Sequence, residues 1–296
     1  MLINPRAGGG RAREIWERLR REVPRLAGLR QVRRTGSNEP GGVILEPTPE
    51  AAEEALVKAL EAGVERLLVI GGDGTFSLAA DVVALAGAGS RVPLGLIPAG
   101  TGSDLARSLG LPRDPFEGVR RALDGDPRPI DALELAFDDG RRRFAVNVVS
   151  AGVSSGVVER INALGSRGKA AYLTEAVKAL LAYTPVSCRI DADGEPWHEG
   201  PLLLVAVANG TSFGGGMRIA PRAAVDDGLA DLVLAPRVPG WQIPILLPRL
   251  YLGRHLSSRY VEYRRAKTVR IEPAEGFPRI DLDGDSWAPG AVTIRV

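Results

Sequence analysis

The residues whose types and spacing can do chemistry are concentrated between Leu67 and Ser77. An apolar run, Leu67 to Ile70, predicts a buried parallel strand, and it leads directly into Gly71-Gly72-Asp73-Gly74-Thr75. Because glycine has no Cβ, this turn can bring backbone N–H groups close to an anion. The amino end of the helix that follows also favours the binding of a phosphate group. Asp73 would repel phosphate, so it indicates a divalent cation or a substrate hydroxyl at the same place.

The spacing around this turn excludes two common phosphate motifs. No Gly-Lys-Ser/Thr follows, as a P-loop requires, and the glycine spacing differs from that of the dinucleotide-binding fingerprint. An ordinary Asp-Gly surface turn is the remaining alternative. That alternative does not explain why three glycines separate an apolar strand from a helix.

Two other strands are followed by glycine-rich loops, and together they indicate the fold of the first half. The strand stub Met1–Ile3 precedes the loop 4–10, and the predicted strand Val92–Ile97 precedes the loop 98–104. Helices are predicted at 11–23 and after Thr48, Thr75 and Leu105. This order predicts a doubly wound, mostly parallel α/β domain whose loops at Asn4, Gly71 and Thr101 converge beyond the strands' carboxyl ends. The stub is shorter than a usual first strand of about five residues, which suggests a start codon further upstream.

Composition limits the class of protein. The 296 residues carry a net charge of +2, which argues against a dedicated nucleic-acid binder. The single cysteine, Cys188, excludes an internal disulfide and fits a reducing compartment. No run has membrane-spanning length and the amino terminus lacks a signal-peptide layout. We therefore expect a cytoplasmic protein, with peripheral contact to the inner face of the membrane left open.

The sequence pattern changes near Pro129, so we expect domains at 1–129 and 130–296. The second half is predicted to resemble a β-sandwich with helical excursions. Its first two strands are predicted at Ile130–Phe137 and Arg143–Val149, joined by an Asp-Gly hairpin turn, and two helices at 153–164 and 169–182. Further strands are predicted at 186–191, 202–208, 229–234, 268–272, 279–282 and 292–296, with a helix around 241–252. Whether the extreme carboxyl terminus returns to the first domain is left open.

Taken together, the motifs resemble those of the diacylglycerol kinase catalytic-domain superfamily, specifically its bacterial lipid kinases, which are related to sphingosine kinases. The resemblance extends over nearly the whole chain. It rests on these segments in order: Asn4-Pro5 with Gly8, the glycine turn 71–75, the loop 98–104, Asn147 with Gly152, Asn209-Gly210, 213–217 with 219–221, and 226–231. One departure is Ser103, where the family usually has Asn.

The resemblance implies transfer of the γ-phosphate of ATP to a lipid hydroxyl, with Mg²⁺, in a cleft between the two domains. Phosphoryl transfer needs mainly positioning, charge neutralisation and one base. By the same resemblance, the nucleotide contacts Asn4, Pro5, Arg6, Ala7, Gly8, Thr35, Gly71, Gly72, Asp73, Gly74, Thr75, Phe76, Ser77 and Thr101.

The family's general base is the carboxylate of a late Asp-Gly-Glu, which Asp283-Gly284-Asp285 matches here. Asp285 keeps the charge but is one methylene shorter. A second match, Asp193-Gly194-Glu195, is interpreted as a hairpin turn. In the sphingosine-kinase branch the aspartate of the glycine turn is credited as the base, so sequence does not separate the roles of Asp73 and Asp285. The preferred assignment is Asp285 as base and Asp73 as an organiser of metal and phosphate.

Several bacterial relatives hold a structural Mg²⁺ at an Asp-Gly-Leu segment. The resemblance places the corresponding ligands at the Asp227 side chain and the backbone carbonyls of Ala224 and Leu229. Hard oxygen ligands of this kind suit Mg²⁺ or Ca²⁺. A plain turn before a strand is an equally good interpretation of this segment.

Other functions were weighed against the kinase hypothesis. Gly152-Val153-Ser154-Ser155-Gly156 fits the hydrolase nucleophile pattern, with His255 as the better placed histidine, but the glycine turns would then have no role. A nucleotide-binding relative with weak or no kinase activity is a second alternative.

Diacylglycerol is the leading acceptor, and sphingosine-like, ceramide-like and phosphatidylglycerol acceptors are left open. Whether the protein forms a homodimer is also left open. The apolar stretch 241–252 either packs on the core or lies against a bilayer, with nearby arginines as headgroup partners.

Overall fold

The protein is described by a computed structural model that covers residues 1–31, 42–45, 48–100, 102–154, 177–178, 180, 182–274, 279–287 and 290–296. Within these residues the chain divides into two compact units, Met1–Pro129 and Ile130–Val296. In the part described, no helix has both the length and the apolar character needed to cross a bilayer.

The first unit alternates short strands with helices. The strands are β1 (Leu2–Ile3), β2 (Arg30–Gln31), β3 (Gly42–Leu45), β4 (Leu67–Gly71) and β5 (Leu94–Pro98). The helices are α1 (Arg11–Glu22), α2 (Pro24–Ala27), α3 (Pro49–Glu61), α4 (Asp73–Leu85), α5 (Asp104–Ser108) and α6 (Pro115–Asp124). Thr48 caps α3 by accepting a hydrogen bond from the N–H of Ala51, and Asp114 caps α6 in the same way from Glu117.

The strands of this unit form one parallel sheet in the order β2-β3-β1-β4-β5. Ile3, Ile70 and Ile97 are fully buried in the three adjacent central and edge strands, and α1 and α6 pack on them through Trp16 and Val119. The predicted α/β architecture is therefore confirmed. In this strand order the loops after β1, β4 and β5 leave the same edge of the sheet side by side.

The second unit consists mainly of antiparallel strands. They are β6 (Leu133–Phe137), β7 (Arg142–Ala145), β8 (Val148–Gly152), β9 (Val186–Ala192), β10 (Glu195–Leu202), β11 (Leu204–Ala208), β12 (Ala230–Ala235), β13 (Glu262–Ala266), β14 (Thr268–Pro273), β15 (Ile280–Leu282), β16 (Asp285–Trp287) and β17 (Val292–Arg295). The helix α7 (Ile243–Tyr251) lies between β12 and β13. Two six-stranded sheets result, ordered β10-β9-β14-β17-β6-β7 and β13-β12-β11-β8-β15-β16.

The two sheets of this unit pack face to face around one apolar core. Side chains from both sheets, such as Leu135 and Ile271 against Val205 and Leu232, are fully buried in it. The predicted β-sandwich character is confirmed. The last strand, β17, pairs with β14 and β6, so the described carboxyl terminus belongs to the second unit.

Several sequence predictions for this unit need correction. The strand predicted at 202–208 is wrong as one element, because Leu202 ends β10 in one sheet and β11 begins at Leu204 in the other. The continuous strand predicted at Arg143–Val149 is wrong, because β7 and β8 belong to different sheets and the chain crosses between them at Val146 and Asn147. The long strand β10 was not predicted, because it is a polar edge strand that contains two prolines. The helices predicted over 153–182 fall mostly outside the described residues.

Candidate functional site

The glycine turn after β4 and the loop after β1 are in direct contact. The Asn4 side-chain amide donates to Thr75 Oγ1 at 3.2 Å, and the Asn4 N–H donates to the Ile70 carbonyl at 3.2 Å. Asn4 Oδ1 also accepts from the N–H of Arg6 at 3.0 Å, which closes the turn containing Pro5. The structure thus brings Asn4 and Thr75 together, as the strand order requires.

The loop after β5 packs against the same glycine turn through its backbone. The Gly71 carbonyl accepts from the N–H groups of Ala99 (2.8 Å) and Gly100 (3.2 Å). A Cβ on Gly100 would lie 2.6 Å from the Gly72 Cα. Gly8 has a φ of +61°, and a Cβ there would lie 2.2 Å from the Ala99 carbonyl oxygen. Side chains at Gly8 and Gly100 would therefore force these loops apart.

Gly74 is different, because no packing in the described part of the protein explains it. It lies in the first turn of α4, and a Cβ there would meet none of the described atoms outside its own helix within 4 Å. No side chain caps the amino end of α4. A glycine in a helix costs about 1 kcal/mol relative to alanine, and here it leaves open space beside uncapped N–H groups. This cradle fits a phosphate group.

The Asp73 carboxylate is held by the next helix. Its Oδ2 accepts from the N–H of Asp104 and its Oδ1 from the N–H of Leu105, both at 3.0 Å. Asp73 thereby caps α5, whose own N-cap residue, Ser103, is left-handed (φ 52°) and makes no side-chain cap. The amino end of α5 partly offsets the negative charge of Asp73. Local sequence does not indicate this role, because the helix that Asp73 caps begins 31 residues later.

The remaining residues predicted to contact nucleotide are placed as follows. The side chains of Phe76 and Ser77 are buried in α4, and Ala7 and Gly8 lie in the turn before α1, where Gly8 has a left-handed backbone. Thr35 and Thr101 lie outside the described residues. Their predicted roles, like those of the other nucleotide contacts, stay predictions.

In the second unit, Asp283 occupies the turn between β15 and β16. Its Oδ2 accepts from the N–H of Val146 at 2.9 Å, and its Oδ1 accepts from those of Asn147 (3.1 Å) and Val148 (2.7 Å). These are the residues at which the chain crosses between the two sheets. The carboxylate therefore takes the place of a strand neighbour there, which explains why the predicted continuous strand is broken.

Asp285, the predicted base, begins β16 two residues later, and its backbone pairs with Leu282. Its side chain is not among the described ones. The hairpin geometry fixes the Asp285 backbone directly beside the Asp283 clamp. Its role as base stays a prediction.

Two buried asparagines extend this polar region. Asn147 donates from Nδ2 to the Ser212 carbonyl (3.0 Å), and Asn209 donates to the carbonyls of Asp131 (2.7 Å) and Val146 (3.0 Å). The Oδ1 atoms of Asn147 and Asn209 are buried and have no partner within the described residues. A buried amide oxygen without a donor is costly, so these two oxygens offer acceptor positions to water or a ligand.

The segment predicted to bind a structural Mg²⁺ has other contacts. Asp227 Oδ1 accepts from the N–H of Leu229 at 3.2 Å, and Oδ2 forms an ion pair with Arg265. Among the described residues no group of three or more His, Cys, Asp or Glu side chains could hold a metal. A guanidinium therefore contacts the Asp227 carboxylate, and the assignment of Ala224, Asp227 and Leu229 as ligands of a divalent cation stays a prediction.

The two groups of the hydrolase alternative have separate partners. Ser154 Oγ accepts from Ser150 Oγ at 2.9 Å, while His255 Nε2 lies 2.9 Å from the Ile219 carbonyl. Burial lowers the pKa of the His255 imidazole, and its other ring nitrogen, Nδ1, is buried with no partner in the described part of the chain. No hydrogen bond described here joins the two, so the arrangement offers no relay from His255 to Ser154.

These features define a class: a parallel α/β unit with glycine-rich loops beyond its strands, followed by a β-sandwich unit. A family profile described as the diacylglycerol kinase catalytic domain matches residues 1–135, and one described as the YegS C-terminal NAD kinase beta sandwich-like domain matches residues 147–296. The chain belongs to the family of diacylglycerol kinases and YegS-like lipid kinases, which confirms the predicted resemblance.

Individual relatives support the same family assignment. The chain is 34% identical over 242 residues to a diacylglycerol kinase of Mycobacterium tuberculosis, covering 80% of this chain and 76% of the relative. It is 32% identical over 231 residues to a probable lipid kinase YegS-like protein of Chromohalobacter salexigens, covering 77% and 72%. A solved diacylglycerol kinase structure from Bacillus anthracis shares the fold, with a TM-score of 0.68, 21% identity and coverage of 99% and 92%.

Proposed function

We propose that this protein is an ATP-dependent lipid kinase that transfers the γ-phosphate to a lipid hydroxyl, with diacylglycerol as the preferred acceptor and phosphatidic acid as the product. The observation that carries the proposal is the open cradle at Gly74 beside the uncapped amino end of α4. Because the chain belongs to a kinase family, we propose that this cradle binds the phosphates of ATP.

The residues of the first unit bind and position the nucleotide. N–H groups at the start of α4 bind phosphate oxygens, and Gly8, Gly72 and Gly100 let the three loops close around them. Asp73 holds α5, and with it the third loop, in place. Mg²⁺ accompanies ATP and supplies charge neutralisation at the phosphates when bound.

The residues of the second unit activate the acceptor. Asp285 takes the proton of the lipid hydroxyl as its oxygen attacks the γ-phosphorus. A new oxygen–phosphorus bond forms, the bond to the bridging oxygen breaks, and ADP leaves. Asp283 fixes the turn that precedes Asp285 in the chain.

The test measures transfer of labelled γ-phosphate from ATP, with Mg²⁺, to diacylglycerol, sphingosine, ceramide and phosphatidylglycerol in mixed micelles. We expect labelled phosphatidic acid. Asp285→Asn should lower the rate by about 10²–10⁴-fold, because general base catalysis contributes roughly that much. The matched control is Glu195→Gln, which removes the corresponding carboxylate of the other Asp-Gly turn and should leave the rate unchanged.

Other outcomes would change the proposal. Full activity in Asp285→Asn would contradict the assignment of the base. Transfer to another lipid on the panel would replace diacylglycerol as acceptor. ATP binding without transfer to any lipid would favour a nucleotide-binding relative without kinase activity.

A further inference from the structure

Helix α7 and the 3-10 turn before it are apolar on two opposite faces. Ile243 is buried, and Leu250 packs on the outer face of the β11 sheet beside Ala206 and Ile219. The opposite face carries Trp241, Ile245 and Leu252, which are 65%, 45% and 61% exposed. By contrast, α1 has arginines and glutamates on its outer face, as expected of a surface helix.

The exposed apolar residues form one surface. Trp241, Ile245 and Leu252 are spaced by four and seven residues, close to whole turns of a helix with about 3.6 residues per turn. Pro244 and Pro248, also exposed, lie on the same side. We call this set of five residues the α7 patch. It holds three of the six large hydrophobic side chains that are exposed in the described part of the protein.

The segment that carries the α7 patch has charges of one sign. Residues 232–261 contain no Asp or Glu, although the chain has 36 of them in 296 residues. The same segment contains Arg237, Arg249, Arg254 and Arg259, all exposed. No carboxylate of the described residues forms an ion pair with Arg237, Arg249 or Arg254. An apolar surface with an aromatic residue and unpaired arginines complements an anionic bilayer, whose headgroups attract cations while its interior takes apolar side chains.

We propose that the α7 patch docks the protein onto the surface of an anionic lipid bilayer. Trp241, Ile245 and Leu252 insert at the boundary between headgroups and acyl chains, and Arg249 and Arg254 contact lipid phosphates. The inference deepens the proposed function, since it gives a lipid kinase a surface on which to meet its acceptor. It is tested by binding and therefore does not require turnover.

The experiment measures co-sedimentation of the full chain with vesicles of phosphatidylcholine alone and of equimolar phosphatidylcholine and phosphatidylglycerol. The wild type should bind the anionic vesicles, with an affinity that falls as salt rises. The triple variant W241S/I245S/L252S should lose roughly a hundredfold in affinity, because three apolar insertions are removed. The variant R249Q/R254Q should lose its preference for anionic vesicles. Trp241 should also give a blue shift in fluorescence on binding, which W241S abolishes.

The matched control is V57S/L85S, which removes two exposed hydrophobic residues of the first unit, 41% and 43% exposed. It should bind vesicles like the wild type. Unchanged vesicle binding in the triple variant, or equal loss in the control, would overturn the proposal. So would a wild-type dimer in sedimentation velocity that the triple variant converts to a monomer, because the patch would then join two copies of the chain. If the protein binds vesicles as expected but phosphorylates no lipid, the result would support the docking surface and contradict the proposed lipid kinase activity.

Discussion

Two hairpin turns of the second unit share nearly the same sequence, Asp193-Gly194-Glu195 and Asp283-Gly284-Asp285, and the same backbone. Asp193 and Asp283 have φ values of 52° and 51°, and the glycines that follow have 82° and 98°. Left-handed values at both central residues define a type I′ turn, for which Asp-Gly is a favoured pair. Each turn joins two antiparallel strands, β9 to β10 and β15 to β16.

The turns differ in what the aspartate holds. Asp193 is exposed and uses a single oxygen, Oδ1, to accept from the N–H groups of Lys267 and Thr268, both at 2.9 Å. Asp283 uses both oxygens to accept three N–H groups where the chain changes sheets. The local motif specifies the turn, while the neighbouring chain decides whether the turn supports a buried polar region. In both turns the aspartate is a clamp that holds backbone N–H groups of a neighbouring segment.

The largest effect that separates the turns is expected from Asp283→Asn. Asparagine tolerates the left-handed backbone, but its NH₂ group cannot accept a hydrogen bond. That group would face either the N–H of Val146 or the N–H groups of Asn147 and Val148, which would then lose their acceptor. We expect a loss of about 2–3 kcal/mol in the free energy of unfolding, measured by urea denaturation. A loss below the error of the measurement would mean that the three hydrogen bonds do not support the crossing.

The same substitution in the other turn, Asp193→Asn, is expected to have a small effect. The side-chain oxygen of asparagine can keep both hydrogen bonds, from Lys267 and Thr268, because both use Oδ1. The free energy of unfolding should change by less than about 0.5 kcal/mol in the same denaturation experiment. An equal loss in the two variants would remove the distinction between the turns.

Structural features could be predicted from the sequence where the interactions that determine them are local. Strand, glycine turn and helix follow one another around Gly71, so the parallel sheet and the order of its loops could be predicted. The broken strand at Val146 could not, because Asp283 lies more than a hundred positions away in the chain and no periodicity records that contact. The pairing of Arg265 with Asp227 is a similarly remote contact, between residues 38 positions apart.

A further small effect concerns Ser103, which is, with Asp193 and Asp283, one of three non-glycine residues with positive φ in the described chain. Aspartate suits this backbone in the two turns, whereas serine has no such preference. Ser103→Asn should therefore raise the free energy of unfolding by about 0.5 kcal/mol. The control is Ser108→Asn, at a helical position of α5 where asparagine gains nothing, and thermal unfolding can compare the two. If Ser103→Asn is less stable than the wild type, the Ser103 hydroxyl, which donates to the Gly100 carbonyl at 3.3 Å, matters more to this loop than its backbone strain.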